Sequence, residues 1–181
     1  MYRKSGRFGR FCALSFCAAA ILAVSPAAGA IGLLPAGAPY ASIGAGVFNA
    51  KGDVRDGGYN GTPAELDADY PSGFRYWGVG YMFGLLANTD GGVDGYAGLY
   101  GDIVLTHRLL LVPEAAVSGY RRGGSKRMGS GFLFRLELGL AYQLAGGDRI
   151  GVQVAHLSNG DLFRRNPGEN EVLVFCSLPL G

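Results

Sequence analysis

A histidine and a serine stand two residues apart near the C-terminus, in the sequence Ala155-His156-Leu157-Ser158. A serine hydroxyl becomes a useful nucleophile when a base removes its proton, and an imidazole is the usual base. A third polar group must then hold the imidazole in one tautomer. The residue types and their spacing raise the hypothesis of acyl transfer through a serine.

The local pattern places His156 and Ser158 on one face of a strand. Alternate side chains of an extended chain point to the same side, so both residues share a face with Ile150, Val152 and Val154. A face with this apolar content is expected to contact lipid, where polar groups need partners. Stability alone does not explain a histidine and a serine there.

Asn170 is the residue that strand pairing should add to this face. It lies twelve residues after Ser158, across one loop, at the start of a final apolar strand whose parity it shares with Val172. A hairpin between the last two strands would bring Asn170 beside His156 and Ser158. The sequence therefore predicts three converging polar groups on a membrane-facing surface.

The clearest strand of the chain covers residues 132–144. Large apolar residues occupy every second position from Phe132 to Leu144, while Arg135 and Glu137 stand on the other parity. Strict period two with charges on one side predicts a strand between lipid and a polar lumen. Arg135 and Glu137 are expected to pair in that lumen.

Weaker segments of the same kind bring the predicted number of strands to eight. They lie at roughly 40–49, 70–77, 79–87, 95–106, 108–119, 149–158 and 171–180, besides 131–144. Long loops near 50–69, 88–94, 120–130 and 159–170 alternate with tight turns near 78, 107 and 145–148. This alternation is typical of outer-membrane barrels, and eight strands leave a lumen filled by side chains. The predicted fold is an all-β, eight-stranded antiparallel transmembrane β-barrel, unless the second segment merges with the third.

The first thirty residues predict a signal peptide (1–30) that is removed, which leaves residues 31–181 as the barrel. Four basic residues precede an apolar run at 11–24 that is short for a membrane span, and Ala28-Gly29-Ala30 fits a signal peptidase. The chain has 16 Lys and Arg, and removal of these four leaves 12 against 14 Asp and Glu. The mature charge near −2 excludes a nucleic-acid footprint.

No metal or cofactor is predicted. Cys12 and Cys17 leave with the signal peptide, Cys176 cannot form an internal disulfide, and no Cys/His cluster has the spacing of metal ligands. The first loop is predicted to be acidic, without the spacing of a calcium loop. Its acidic residues are Asp53, Asp56, Glu65, Asp67 and Asp69.

The sequence resembles the lipid A 3-O-deacylase family. The motifs are His156-x-Ser158-Asn159 and Asn166-Pro167-Gly168, with supporting likeness in Tyr96-Ala97-Gly98-Leu99 and Arg149-Ile150. The resemblance implies an eight-stranded barrel in the outer membrane, with a serine-esterase triad on its outer wall. It also implies that homodimers can form.

The same resemblance implies roles for individual residues. Ser158 would be the nucleophile and His156 the general base, while Asn159 and the backbone around Gly160 would hold the oxyanion. The best-known members carry Glu where this chain has Asn170. Either Asn170 orients the imidazole, as Asn does in the outer-membrane phospholipase A family, or the loop shifts by one residue and Glu171 takes the role. Parity favours Asn170, chemistry favours Glu171, and an inactive relative is the third alternative.

Basic residues in the predicted external loops fit the phosphates of lipid A. Arg164 and Arg165 lie in the loop beside the site, and paired arginines bind phosphate well. The group 121–127 contains four more cations, Arg121, Arg122, Lys126 and Arg127, and is also interpretable as a solvated loop. The predicted function is an outer-membrane esterase that removes the 3-linked acyl chain of lipid A in the outer leaflet. The alternatives are a phospholipid acyl hydrolase and a structural or adhesive barrel without chemistry.

Overall fold

The computed structural model of this chain describes residues 31–51 and 58–181. The predicted signal peptide, with Cys12 and Cys17, and the acidic residues Asp53 and Asp56 lie outside the described residues. Within those two ranges, helices long and apolar enough to cross a membrane are absent.

The described residues form ten strands, of which eight close into a barrel. The strands are β1 (Gly32–Leu33), β2 (Tyr40–Val47), β3 (Ala64–Tyr76), β4 (Val79–Asn88), β5 (Val93–Gly101), β6 (Ile103–Val104), β7 (Leu109–Arg121), β8 (Phe132–Gln143), β9 (Arg149–Ser158) and β10 (Glu169–Pro179). All neighbours are antiparallel, in the ring β2-β3-β4-β5-β7-β8-β9-β10, and β10 pairs with β2 to close it. The predicted fold class is confirmed.

Each barrel strand separates an apolar outer face from a polar lumen. In β8 the outward side chains of Leu136 and Leu138 are 58% and 45% exposed, whereas the inward side chain of Arg135 is 1% exposed. The same alternation on β9 exposes Val152 and Val154. A belt of exposed apolar side chains around a closed sheet is the surface that a bilayer requires.

Strand β3 begins six residues before the predicted segment 70–77. Its acidic residues Glu65, Asp67 and Asp69 alternate with small or apolar neighbours and point into the lumen, where Glu65 and Asp67 are buried. The prediction that these three belong to an acidic first loop is therefore wrong. These charged residues suggested a loop because charged side chains are typical both of solvent-exposed loops and of strand positions that face a polar lumen.

Arg135 stands at the centre of the lumen. Its guanidinium contacts Glu171, lies 2.5 Å from Glu137 and 3.4 Å from Asp67, and covers the ring of Tyr96. The predicted Arg135–Glu137 pair is confirmed. Below this network a cavity of about 30 Å³ remains among packed side chains, so the lumen is filled rather than open.

The loops differ between the two ends of the barrel. At the end that carries Ser158, called the outer end, the connections are 48–63, 89–92, 122–131 and 159–168. At the inner end they are 77–78, 102–108 and 144–148, and residues 31–39 run beside them through β1. Two of the described connections depart from the predicted pattern. The connection 89–92 is a four-residue turn rather than a long loop, and the connection 102–108, predicted as a tight turn near 107, has seven residues and contains β6.

Candidate active site

Two adjacent strands, β9 and β10, bring the predicted polar residues to the outer wall. His156 and Ser158 lie near the end of β9 on the face of the exposed Val152 and Val154. In the register, His156 stands opposite Asn170 of β10. The shared face was predictable because side-chain direction alternates with period two.

His156 and Asn170 are in direct contact. The imidazole Nδ1 lies 3.1 Å from the amide Oδ1 of Asn170. An amide oxygen can only accept, so Nδ1 carries the hydrogen and Nε2 keeps a free lone pair. This is the tautomer that a general base needs on the nitrogen facing a nucleophile. The predicted convergence of these two residues is confirmed.

Ser158 shares the face of His156 and is half-buried. Its hydroxyl has no hydrogen-bond partner among residues 31–51 and 58–181, the imidazole included. In enzymes without substrate the hydrogen bond between base and nucleophile is often long and tightens on binding. The serine hydroxyl is therefore open to a substrate that approaches from the outer face.

Gly168 lies against the imidazole. It has a φ of +60°, and a Cβ built on it would come within 3.1 Å of His156 Cε1 and 3.5 Å of Nε2. A side chain at this position would press on the ring and strain the backbone. The Asn166-Pro167-Gly168 turn thus allows the loop 159–168 to return beside the histidine.

Glu171 does not take part in this group. Its side chain points into the lumen, where it is fully buried and contacts Arg135. The alternative in which a one-residue shift brings Glu171 to His156 is wrong for this structure, because the paired register of β9 and β10 fixes the parity of β10.

Asn159 has a different position from the one expected of an oxyanion donor. Its side chain is fully buried, and its Nδ2 donates to the carbonyl oxygens of Met128 at 3.0 Å and Arg165 at 2.6 Å. Its backbone N–H donates to Asn166 Oδ1, and its Oδ1 accepts from the N–H of Asp161. With these groups occupied, the Asn159 side chain has no donor free for an oxyanion in this structure. Asn159 instead joins the loops 122–131 and 159–168.

Gly160 is the second residue expected at the oxyanion position. It has a φ of +62° and follows Ser158 by two residues. Within the part of the chain that the structure describes, its N–H has no protein acceptor. An unpaired N–H close to a nucleophile is the kind of group that can hold an oxyanion.

We expect Asn159→Ala to act through the loops rather than on the chemical step. Removing the amide leaves two buried carbonyls without a donor, at a local cost of about 1–3 kcal/mol. KM should rise with little change in kcat, and limited proteolysis should cleave within 122–131 faster. A fall in kcat of about 10²–10³-fold at constant KM would instead support an oxyanion role.

The basic residues of the outer loops divide into exposed and buried ones. Arg164 and Arg165 are exposed in loop 159–168, as are Arg121, Arg122 and Arg127 in and before loop 122–131. Lys126 is buried, and its Nζ donates to Asn49 Oδ1 at 2.8 Å. Lys126 therefore joins two loops, and its inclusion in an external phosphate-binding group was wrong.

An open apolar groove runs along the outer wall from His156. Its sides are formed by β8, β9 and β10, and its rim by the residues after β2. The outward lining residues are Ala50, Lys51, Leu136, Leu138, Val154, His156, Asn170 and Val172. Nothing in the sequence indicated that Lys51 lies at the groove. Its position there depends on the pairing of β2 with β10, two strands from opposite ends of the chain.

Comparisons with known proteins point to one family. The family model described as "Lipid A 3-O-deacylase (PagL)" matches residues 58–179. A comparison with curated protein sequences found no significant match.

Two solved structures are similar to this chain. The crystal structure of the outer membrane enzyme PagL is similar with a TM-score of 0.59 at 16% identity, over 78% of this chain and 99% of that one. The backbone structure of the Yersinia pestis outer membrane protein Ail has a TM-score of 0.49 at 12% identity, over 80% of this chain and 100% of that one.

Proposed function

Because the chain belongs to the lipid A 3-O-deacylase (PagL) family, we propose that it is an outer-membrane serine esterase that hydrolyses the 3-linked acyl ester of lipid A. The observation that carries the proposal is the His156–Asn170 hydrogen bond on the outer wall, two residues from Ser158. Mass spectrometry of lipid A from cells that express the chain tests it, and loss of one hydroxyacyl chain is the expected result.

The proposed reaction begins with Ser158. Its oxygen attacks the ester carbonyl carbon while His156 Nε2 takes the hydroxyl proton. The negative oxygen of the tetrahedral intermediate accepts from the Gly160 N–H, and Asn170 Oδ1 holds the imidazolium through Nδ1. The intermediate collapses as the imidazolium gives its proton to the departing sugar oxygen, which leaves the acyl group on Ser158.

Water completes the proposed cycle. His156 removes a proton from a water molecule, which attacks the acyl-serine carbonyl, and the proton then returns to the Ser158 oxygen. The products are the free hydroxy fatty acid and lipid A with a free 3-hydroxyl. This sequence consumes one water and needs neither a metal nor a cofactor.

The outward position of the group suits a substrate that lies in the membrane. Apolar walls formed by Leu136, Leu138, Val154 and Val172 lead away from His156 along the barrel surface. An acyl chain can rest against them without leaving the apolar layer. Arg164 and Arg165 stand in the adjoining loop at headgroup level, where phosphate is expected.

We expect Asn170 to set the activity of the base. Asn170→Ala should lower kcat about 10–100-fold, because the imidazole loses its orienting acceptor. Asn170→Asp should keep activity but move the acid limb of the kcat/KM profile to higher pH, since a carboxylate favours the protonated imidazole that cannot act as a base. The profile is measured on purified, micelle-bound protein.

Val174→Ala is the matched control for this pair of variants. It changes an outward residue of β10 that lies outside the groove lining, and it leaves the hydrogen bond with His156 intact. An unaltered pH profile in Asn170→Asp, with Val174→Ala like wild type, would remove Asn170 from the triad.

A phospholipid acyl hydrolase is the second candidate, and Asn170 is the feature that favours it. Identification of the lipid class that loses an acyl chain separates the two substrates. A purely structural or adhesive barrel predicts that the polar residues lie far apart, which the 3.1 Å contact between His156 and Asn170 counts against. Formation of a homodimer stays a prediction.

A further inference from the structure

Lys51 lies at the rim of the outer-wall groove, on the Asn170 side. It lines the groove together with His156 and Asn170, and its side chain is exposed. Among the described residues that line this groove, it is the only lysine or arginine. The groove therefore combines an apolar wall with one fixed cationic position at its polar end.

The backbone next to Lys51 is tied to the start of β10. The N–H of Asn49 donates to Glu169 Oε2 at 2.9 Å, and the N–H of Ala50 donates to the carbonyl oxygen of Asn170 at 2.8 Å. Lys51 thus follows directly after two residues anchored at the candidate active site. Anchoring of the two preceding residues restricts where the Lys51 side chain can reach, which lowers the entropic cost of binding.

The position of the imidazole decides which part of a substrate Lys51 can reach. In the proposed reaction the sugar is the leaving group and receives its proton from His156. His156 contacts β10, and Lys51 follows β2 on the far side of β10. Two strand spacings, about 10 Å, separate β9 from β2. A sugar that leaves from the Ser158 side can therefore reach toward Lys51 across β10.

Arg164 and Arg165 lie in a different loop from Lys51, the one that follows Ser158 in the chain. They belong to the connection 159–168 that leaves β9 directly after Ser158. Asn159 holds this connection to Met128, which follows the exposed Arg127. Exposed cations are thus supplied by two separate segments, 48–51 and 159–168. Lipid A has a phosphate at each end of its disaccharide, and one of them is on the sugar that carries the 3-linked ester.

We propose that the Lys51 ammonium binds the phosphate on the sugar whose ester is cleaved, while Arg164 and Arg165 bind the phosphate at the far end. The proposal rests on the proposed function. The methylene stem of Lys51 can lie along the apolar rim while its charged end meets the phosphate. A lysine holds phosphate as a point charge, without the fixed fork of an arginine.

Steady-state kinetics of the full barrel in mixed micelles test this assignment. The substrates are lipid A with both phosphates, lipid A without the phosphate on the reacting sugar, and lipid A without the far phosphate. Lys51→Met should raise KM for the first substrate about tenfold at low salt, with kcat unchanged. Removal of the phosphate on the reacting sugar should raise the KM of the wild type by the same factor. It should not raise the KM of Lys51→Met any further.

Two further variants serve as controls. Lys51→Arg keeps the charge and should retain the wild-type KM. Arg108→Met removes an exposed cation from the inner end and should also behave as wild type. An unchanged KM in Lys51→Met would overturn the proposal. It would also be overturned if the KM of Lys51→Met rose on removal of the near phosphate but did not change on removal of the far one.

Failure of the proposed function has a separate signature. Wild-type protein would then release no acyl chain from any of the three substrates. Affinity for the same lipids, measured on Ser158→Ala barrels with and without Lys51→Met, still tests the lysine because it requires no turnover. Equal affinities of the two proteins for the doubly phosphorylated lipid would exclude Lys51 as a phosphate ligand.

Discussion

Cells that express the Ser158→Ala variant are expected to keep the 3-linked acyl chain on their lipid A, whereas cells with the wild-type chain lose it. The variant retains the groove, the histidine and the basic loops but has no oxygen to attack the ester. Loss of the nucleophile of a serine esterase lowers kcat by about 10⁴-fold or more. Mass spectrometry of extracted lipid A gives the result directly.

Ser177→Ala is the matched control for this experiment. Ser177 lies in the same wall of the barrel but faces the lumen, where its hydroxyl donates to Ser42 Oγ at 3.0 Å. Its loss removes a buried serine hydroxyl of the lumen without touching the outer face. If the Ser158→Ala variant removed the acyl chain as fast as the Ser177→Ala variant, Ser158 would be excluded as the nucleophile.

The second large effect concerns stability rather than chemistry. Arg135→Met should lower the free energy of unfolding by roughly 3–5 kcal/mol, the cost of removing one partner from a buried ionic network. Glu171, Glu137 and Asp67 would be left facing one another without the guanidinium that they share. Urea unfolding of the barrel in lipid vesicles measures the change through the midpoint and slope.

A compensated variant separates charge imbalance from lost packing. In Arg135→Met combined with Glu137→Gln and Glu171→Gln, two of the stranded negative charges are removed, and much of the stability should return. If the single and triple variants are equally unstable, loss of the guanidinium that stacks over the Tyr96 ring, and not the unpaired carboxylates, accounts for the lost stability.

This network also bears on the candidate active site. Glu171 faces the lumen and contacts Arg135, while Asn170, one residue earlier, faces outward and contacts His156. The ion pair and the outward hydrogen bond are therefore made by adjacent residues of β10. Glu171, which chemistry alone suggested as the third triad member, instead pairs with Arg135 in the lumen. This pairing holds β10, the strand from which Asn170 contacts the imidazole.

Much of the fold could be predicted from the sequence because the relevant signals are local. The strict alternation in 132–144 identifies a strand and both of its faces, and the Arg135–Glu137 pair follows from it. The same parity argument placed His156 and Ser158 together. Asn170 followed from one further assumption, that the last two strands form a hairpin.

The limits of prediction appear where a residue's surroundings come from distant parts of the chain. Glu65 and Asp67 have the composition of a loop, and only closure of the barrel shows that they line a lumen. Asn159 and Lys126 look like available polar groups in the sequence. Their partners are Met128 and Asn49, which belong to other loops.

The sequence by itself determined the strand period, the two faces of residues 132–144, the shared face of His156 and Ser158, and the resemblance of the motif around Ser158. The tertiary structure decided which residues meet, namely Asn170 rather than Glu171 at His156, and Lys51 at the groove. Period two is a property of every extended chain and needs no partner. Register and barrel closure depend on pairing between strands as distant as β2 and β10, and that information is not contained in any local stretch of sequence.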